Sequence, residues 1–194
     1  RSLRNILDKM KAAGYNVKGT VPVERALVDL LAHQGTNVGS WAPGELQAMV
    51  EAGNATLLPA ELYEQWFSAL PQDKQSEVTR MWGPPPGKIM VYENQSGKYL
   101  VIPKLSFGDV ILLPQPSRGW LENSTVLYHD KSVPPHHQYI AFYLWLRHGF
   151  GADAIVHLGK HGTQEWLPGK ECGISRDDWP ALLVLDLPVV YPYI

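Results

Sequence analysis

The sequence is poor in three features, each of which would have indicated a particular class of protein. It has one cysteine in 194 residues, which excludes an intramolecular disulfide scaffold and fits a reducing compartment, so we expect a cytoplasmic protein. The formal net charge of −2 arises from 17 Lys+Arg and 19 Asp+Glu and leaves no basic surplus for binding nucleic acid. The longest apolar run, residues 139–146, is far shorter than the ~20 residues that span a bilayer, so we expect no membrane span.

A nucleotide-binding phosphate loop is also missing from the sequence. Residues 83–89 superficially resemble one, but only three residues separate the two glycines, and Ile89 stands where Ser or Thr should bind magnesium. The three prolines between the glycines lack the N–H groups that would bind phosphate. Any ATP-driven step must therefore depend on ATP bound by another subunit.

The two ends of the sequence point to a longer polypeptide. The chain begins without methionine and stops just after the apolar run at 189–191. A strand of this kind needs neighbours that cover it. We therefore expect the sequence to be a fragment of a much larger subunit.

Helical patterns dominate residues 1–86. Apolar side chains within residues 3–10 recur at positions i, i+3, i+4 and i+7, and Gly and Pro separate this segment from similar ones. Helices of this length are marginal alone, so they must pack on one another or on the later part of the chain. We predict a helical segment over residues 1–86 and an α/β segment over residues 87–194.

The second segment has the pattern of strands. The β-rich runs 89–92 and 99–102 flank a turn signal at residues 94–97, which predicts a β-hairpin. Residues 109–113 have the composition of a fully buried strand.

A buried helix and a last strand complete this segment. Residues 139–147 are apolar nearly all round, which indicates a buried helix, and residues 154–158 resemble a short parallel strand. The order strand, buried helix, strand is typical of an α/β sheet with covered faces. The predicted fold is α/β, with a helical N-terminal part followed by a mainly parallel sheet, covering helices and one β-hairpin.

The residues best suited to chemistry follow the last predicted strand. His157, His161 and Glu165 stand at i, i+4 and i+8, a spacing that would place them on one face of a zinc-hydrolase helix. Gly159 and Gly162 argue against a helix, because two glycines cost about 2 kcal/mol there. We predict a loop at the carboxyl end of a parallel strand, where open α/β sheets bind ligands.

Other candidates precede or begin the buried helix. His136 and His137 fall in its first turn, where neighbours point about 100° apart, so at most one of them should face a given site; both could instead be solvent-facing cap residues. Gln115, Arg118 and Trp120 follow the strand that ends at residue 113. Arg118 suits a carboxylate clamp, and Trp120 either a stacking surface or core packing.

Several stretches resemble the large subunit of the cobaltochelatase and magnesium-chelatase family. They are residues 63–86, 115–120, 136–147, 150–163, 165–170 and 187–193. The resemblance covers most of the chain and is densest from residue 108 onward. Lys160, before His161 and Gly162, resembles the cobalt-inserting member of the family.

The resemblance implies ATP-dependent insertion of a divalent metal into a tetrapyrrole. The large subunit would work with an AAA+ ATPase subunit, which would bind the ATP, and with an adaptor subunit. Co²⁺ would be the substrate metal and hydrogenobyrinic acid a,c-diamide the macrocycle, in cobalamin biosynthesis. The alternatives are a magnesium-chelatase subunit that inserts Mg²⁺ into protoporphyrin IX and a non-catalytic tetrapyrrole-binding module.

The chemistry of metal insertion assigns roles to these residues. We expect His157 and His161 to present the metal, with Glu165 as base or additional ligand. Lys160 and Arg118 would hold carboxylate or amide arms of the macrocycle. The remaining candidates for binding the macrocycle are His129, His136, His137, Gln115 and Trp120. We expect the isolated 194 residues to be inactive.

Overall fold

The structure is a computed structural model of the chain, and it describes residues 2–34, 37–38, 42–118, 130, 132–160, 162–169 and 173–192. Its helices are α1 (Ser2–Ala12), α2 (Glu24–Gln34), α3 (Pro43–Glu51), α4 (Ala60–Ser68), α5 (Gln72–Trp82), α6 (His137–Trp145) and α7 (Trp179–Val184). A π-helical turn (Leu146–Phe150) continues α6, and Thr163–Trp166 form a 3₁₀ turn. The strands are β1 (Ala55–Pro59), β2 (Val91–Asn94), β3 (Gly97–Pro103), β4 (Leu105–Phe107), β5 (Val110–Leu112), β6 (Ile155–Val156) and β7 (Val189–Val190).

The first two helices pack on a small β-hairpin. Leu7 of α1 and Leu27 of α2 are buried in one cluster with Phe107 of β4. The hairpin turn approaches the chain after α1, where Lys18 donates its N–H to the carbonyl of Phe107 at 3.2 Å. These short helices are thus stabilised by tertiary burial, as their length requires.

A three-stranded antiparallel sheet carries much of the core. Its strand order is β1-β3-β2, with Leu58 opposite Leu100 and Asn94 opposite Gly97. The side chain of Asn94 accepts a hydrogen bond from the N–H of Ser96 at 2.8 Å, which stabilises the tight turn. The hairpin predicted from the sequence is confirmed.

Helix α6 lies at the centre of the molecule. All nine of its residues are buried, and it contacts β3, α4 and α7. This all-round covering explains why its sequence lacks a polar face. Gly151 ends the helical run in the left-handed conformation at a φ of +73°.

The structure confirms a mixed α/β fold, but parallel pairing is limited to one pair of strands among the described residues. Strands β6 and β7 are parallel, whereas the pairs β1–β3, β2–β3 and β4–β5 are antiparallel. The predicted buried strand at residues 109–113 is the half-buried β5. It pairs with β4 through a turn at residues 108–109, and so short a connection joins only antiparallel strands.

The predicted helical segment also contains a strand that its pattern did not indicate. Strand β1 lies between α3 and α4 and pairs with β3, so residues on both sides of position 86 share one sheet. The division into segments 1–86 and 87–194 stays a prediction. Over the described ranges, none of the helices combines the length and apolar character needed to cross a membrane.

Candidate functional site

A cavity of about 470 Å³ lies at the carboxyl ends of the parallel strands. His157 directly follows β6 and Tyr191 directly follows β7, and both side chains line the cavity. The 3₁₀ turn contributes Gln164 and Glu165, and α7 and its approach contribute Asp178 and apolar side chains. The sequence-based expectation that the site follows a parallel strand agrees with this position.

The β6–β7 pairing fixes the backbone of His157. Its N–H donates to the carbonyl of Val190 at 2.8 Å, which extends the ladder begun by Ile155. Gly159 then adopts a φ of +152°, a conformation that a side chain would strain. The described residues 157–160 are not helical, so the zinc-hydrolase helix considered from the sequence does not form there.

The imidazole of His157 is half-buried at the edge of the cavity. Burial lowers its pKa, and the nearby carboxylate of Glu165 opposes that shift. The neutral form, which burial favours, is the form that binds a metal ion. Tyr143 of α6 approaches one ring nitrogen, with Oη 3.3 Å from Nε2, and the Tyr191 ring lies edge-on with centroids 6.2 Å apart.

Glu165, the exposed residue of the 3₁₀ turn, lines the same cavity. The structure therefore brings together two of the three expected metal ligands, His157 and Glu165. The third, His161, lies outside the described residues, and within the described ranges no group of three His, Cys, Asp or Glu side chains could hold a metal ion. Lys160 is exposed on the loop beside them.

Arg118 is buried, with 1% of its surface exposed. Its guanidinium donates hydrogen bonds to the backbone carbonyls of Trp166, of Asp130 at 2.8 Å and of Val133 at 2.7 Å. These contacts tie the segment before α6 to the end of the 3₁₀ turn. These backbone carbonyls already accept three hydrogen bonds from the guanidinium, and a role as clamp for a substrate carboxylate stays a prediction.

His136 and His137 are also buried, at 1% and 2% exposure, and neither lines the cavity. Nε2 of His136 bonds the carbonyl of Ser117 at 2.8 Å, and its Nδ1 accepts the N–H of Tyr139 at 3.1 Å. His137 bridges the Tyr63 hydroxyl at 2.8 Å and the Gly83 carbonyl at 2.9 Å. The alternative of solvent-facing cap residues is therefore wrong, because both side chains are buried and stabilise the start of α6. Macrocycle binding by either residue stays a prediction.

Gln115 is half-buried and connects the loop to α6 through Thr163 and Tyr143. Sequence reasoning missed Tyr143, which lies within an apolar run. Its hydroxyl could have indicated a polar contact within the apolar run, because a buried tyrosine usually has a hydrogen-bond partner. Burial raises the pKa of Tyr143 to about 12, so the hydroxyl stays protonated. Two other candidates, Trp120 and His129, lie outside the described residues.

Comparisons with known proteins agree with this architecture. A family model described as CobN/Magnesium Chelatase matches residues 1–194. The chain is 34% identical over 190 residues to the aerobic cobaltochelatase subunit CobN of Pseudomonas aeruginosa, covering 98% of this chain and 14% of that protein. It is 32% identical over 192 residues to the H subunit of the magnesium chelatase of Cereibacter sphaeroides, covering 99% of this chain and 14% of that protein.

A solved structure is also similar. The catalytic subunit of cobaltochelatase from Mycobacterium tuberculosis superposes with a TM-score of 0.78 at 38% identity, covering 98% of this chain and 16% of that one. The chain thus spans about one seventh of the length of these relatives.

Proposed function

The chain belongs to the CobN/magnesium chelatase family, and from this premise we propose that it forms part of the large, substrate-binding subunit of an ATP-dependent metal chelatase. The reaction would insert Co²⁺ into a corrin-type tetrapyrrole, hydrogenobyrinic acid a,c-diamide, in cobalamin biosynthesis. The similarity to two cobaltochelatase subunits supports the choice of metal.

One observation carries the proposal: His157 and Glu165 line the same cavity at the ends of β6 and β7. Metal insertion requires that the ion lose water, that the pyrrolic nitrogens lose protons and that the ring bend toward the ion. Imidazole and carboxylate groups are suitable ligands for Co²⁺. A site that releases its metal should hold it with an incomplete ligand set, unlike a closed structural site.

The roles follow from the chemistry of each residue type, and for His157 and Glu165 also from their place at the cavity. His157 and His161 present the metal ion, and Glu165 acts as the base that accepts a pyrrolic proton or as a further ligand. The exposed ammonium of Lys160 binds a carboxylate or amide arm of the macrocycle. Arg118 stabilises the loop by joining the carbonyl of Trp166, at its end, to the carbonyl of Val133, before α6.

The energy for insertion comes from other subunits in this proposal. The stretch at residues 83–89 lacks the residues of a phosphate loop. An AAA+ ATPase subunit therefore binds the ATP, and an adaptor subunit links it to the large subunit.

The proposal is tested in the full-length subunit with its ATPase and adaptor. Glu165→Ala and His161→Ala should abolish insertion and leave macrocycle affinity, measured by fluorescence titration, within a few fold of the wild type. Glu64→Ala, which removes an exposed glutamate from α4, should change neither quantity. Normal turnover in both site variants would refute the assignment of roles.

A magnesium chelatase is the second candidate, supported by the 32% identity to a magnesium-chelatase subunit. A panel of Co²⁺ and Mg²⁺ against corrin-type and porphyrin substrates separates the two. A non-catalytic carrier would bind the macrocycle in the same titration, but adding the partner subunits would produce no metallated product.

A further inference from the structure

The side-chain amide of Gln115 bridges the 157–165 loop and α6. Its Oε1 accepts the backbone N–H of Thr163 at 2.8 Å, and its Nε2 donates to the Tyr143 hydroxyl at 2.8 Å. Because a backbone N–H only donates, the amide has one possible orientation. Gln115 is therefore held at both ends, with its oxygen toward the loop and its nitrogen toward the helix.

Thr163 is fixed through its side chain as well. Its hydroxyl donates to the carbonyl of Pro116 at 3.0 Å. Since that carbonyl can only accept, the same hydroxyl accepts the hydrogen bond from Tyr139, at 3.0 Å. The C-terminal part of the loop is thus fastened to residues 115–116 and to α6 by separate bonds.

Tyr143 extends this network to His157. Its hydroxyl oxygen lies 3.3 Å from Nε2 of His157, and the two rings meet edge to face at 6.2 Å between centroids. In the tautomer that can bind a metal ion through Nδ1, Nε2 carries the proton and donates a hydrogen bond to the Tyr143 oxygen, which leaves the Nδ1 lone pair for a ligand. Metal-binding histidines are ordinarily held in this way by a partner on the second ring nitrogen.

Gly162 gives an independent indication that the position of Gln115 matters. A Cβ at Gly162 would lie 3.2 Å from Oε1 and 3.5 Å from Nε2 of Gln115. Gly162 has φ −65° and ψ 149°, which any residue adopts. Glycine at this position therefore provides room for the Gln115 amide and is not required by the backbone conformation.

We propose that Gln115 is a positioning residue for metal transfer: it binds the loop at Thr163 and holds His157, through Tyr143, with Nδ1 available to the metal ion. The inference rests on the proposed function and replaces the sequence-based expectation that Gln115 binds the macrocycle. It gives the loop and the metal-binding imidazole a common support, so displacing one displaces the other.

The test uses the full-length subunit with its partners. Gln115→Met keeps the length of the side chain and removes both hydrogen bonds. The KM for Co²⁺ should rise up to about tenfold, the low end of the effect of losing the direct partner of a metal-binding histidine, because Tyr143 stays beside His157 but loses its own support. The Kd for the macrocycle should stay within twofold of the wild type. Gly162→Ala should raise the same KM less, because the new methyl group only displaces the amide.

Gln75→Met is the matched control. Gln75, on α5, also makes two side-chain hydrogen bonds, both donated to backbone carbonyls: of Ser68 at 3.0 Å and of Leu70 at 2.7 Å. These bonds involve neither the 157–165 loop nor Tyr143, so losing them should leave the KM for Co²⁺ unchanged. An unchanged KM in Gln115→Met would overturn the proposal, as would weakened macrocycle binding with normal metal kinetics, which would mean direct contact with the macrocycle.

A metal-independent measurement separates this inference from the proposed function. Absence of insertion in the wild type would refute the function alone. The rate at which diethyl pyrocarbonate modifies His157 in the metal-free subunit should then still be several-fold faster in Gln115→Met than in the wild type or Gln75→Met. Equal rates in all three would overturn the positioning role.

Discussion

The buried histidine at the start of α6 links one residue to the stability of the whole chain. His136 accepts the N–H of Tyr139 at Nδ1 and bonds the carbonyl of Ser117 through Nε2. Both bonds form only in the neutral Nε2–H tautomer, because a protonated imidazole has no acceptor. Burial lowers the pKa of His136 to about 4, with His137 as a smaller cause in the same direction.

This pKa predicts the direction of acid destabilisation. Between the pKa of His136 in the unfolded chain, about 6.5, and its pKa in the folded chain, about 4, the imidazole is protonated in the unfolded chain and neutral in the folded chain. The free energy of unfolding should therefore fall as the pH drops through this window, by about 3 kcal/mol from His136 alone. Burial also lowers the pKa of His137, which adds to the same trend.

Urea titrations of the 194-residue chain at several pH values between 7 and 4.5 measure this effect. His136→Gln should be less stable than the wild type at pH 7, because it loses the cap, but should show a shallower decline below pH 6.5. A free energy of unfolding that stays flat across the window, or equal slopes in the two proteins, would contradict the argument.

At the scale of the residue, the sequence shows which polar residues stand among apolar ones. It says less about which atoms those polar side chains contact. The place of His157 and Glu165 at the cavity could be predicted because glycines and a preceding strand mark their loop, whereas their roles stay predictions. The burial of Arg118 could not, because its acceptors are backbone carbonyls of Asp130 and Val133, and a carbonyl leaves no signature in the sequence.

The β4–β5 hairpin gives a prediction at the scale of the element. Gly108, at its turn, has a φ of +69°, and a Cβ there would lie 2.3 Å from the backbone oxygen of Asn16. Gly53 has a φ of +71° with nothing within 4 Å. The two glycines share a left-handed conformation and differ in the space around them, which makes them a matched pair.

Gly53→Ala should therefore lower the free energy of unfolding by about 1 kcal/mol, the cost of a side chain in the left-handed region. Gly108→Ala should lower it by about 1–3 kcal/mol more, because the hairpin must move away from the chain that follows α1. Urea denaturation at pH 7 measures both values. Equal losses in the two variants would mean that the turn tolerates the methyl group and that the contact with Asn16 adds no constraint.

Elements that are determined by their own residues could be predicted from the sequence. Elements that depend on a partner far away in the chain could not. Helix α6 has an all-round apolar sequence, and the β2–β3 hairpin has its turn residues beside it. Strand β1 depends on β3, some forty residues later in the chain. An apolar run indicates that a strand is covered but leaves open which strand pairs with it and in which direction.

For the molecule as a whole, the cavity and the core depend on the same helix. Helix α6 is buried on all sides and also supplies Tyr139 and Tyr143 to the loop network. The loop is thus attached to a fully buried helix, whereas the two-residue pair β6–β7, whose ends carry His157 and Tyr191 into the cavity, is exposed: Val156 and Val190 are 49% and 55% exposed. Short parallel pairs rarely stand alone, since parallel strands are normally covered on both faces.

The difference between the buried helix α6 and the exposed pair β6–β7 leads to a prediction about the isolated chain. The relatives are about seven times longer, and a cavity lined by exposed side chains such as Val189 and Ile174 should bind a metal ion only weakly. The proposed ATP-driven insertion further requires a subunit that binds ATP, and residues 83–89 lack the pattern of a phosphate loop. With ATPase and adaptor present, the isolated 194 residues should yield no metallated macrocycle, measured by its absorption spectrum, whereas the full-length subunit should. Metallation by the isolated chain would show that one seventh of the subunit is sufficient, and that the rest is needed for something other than completing this cavity.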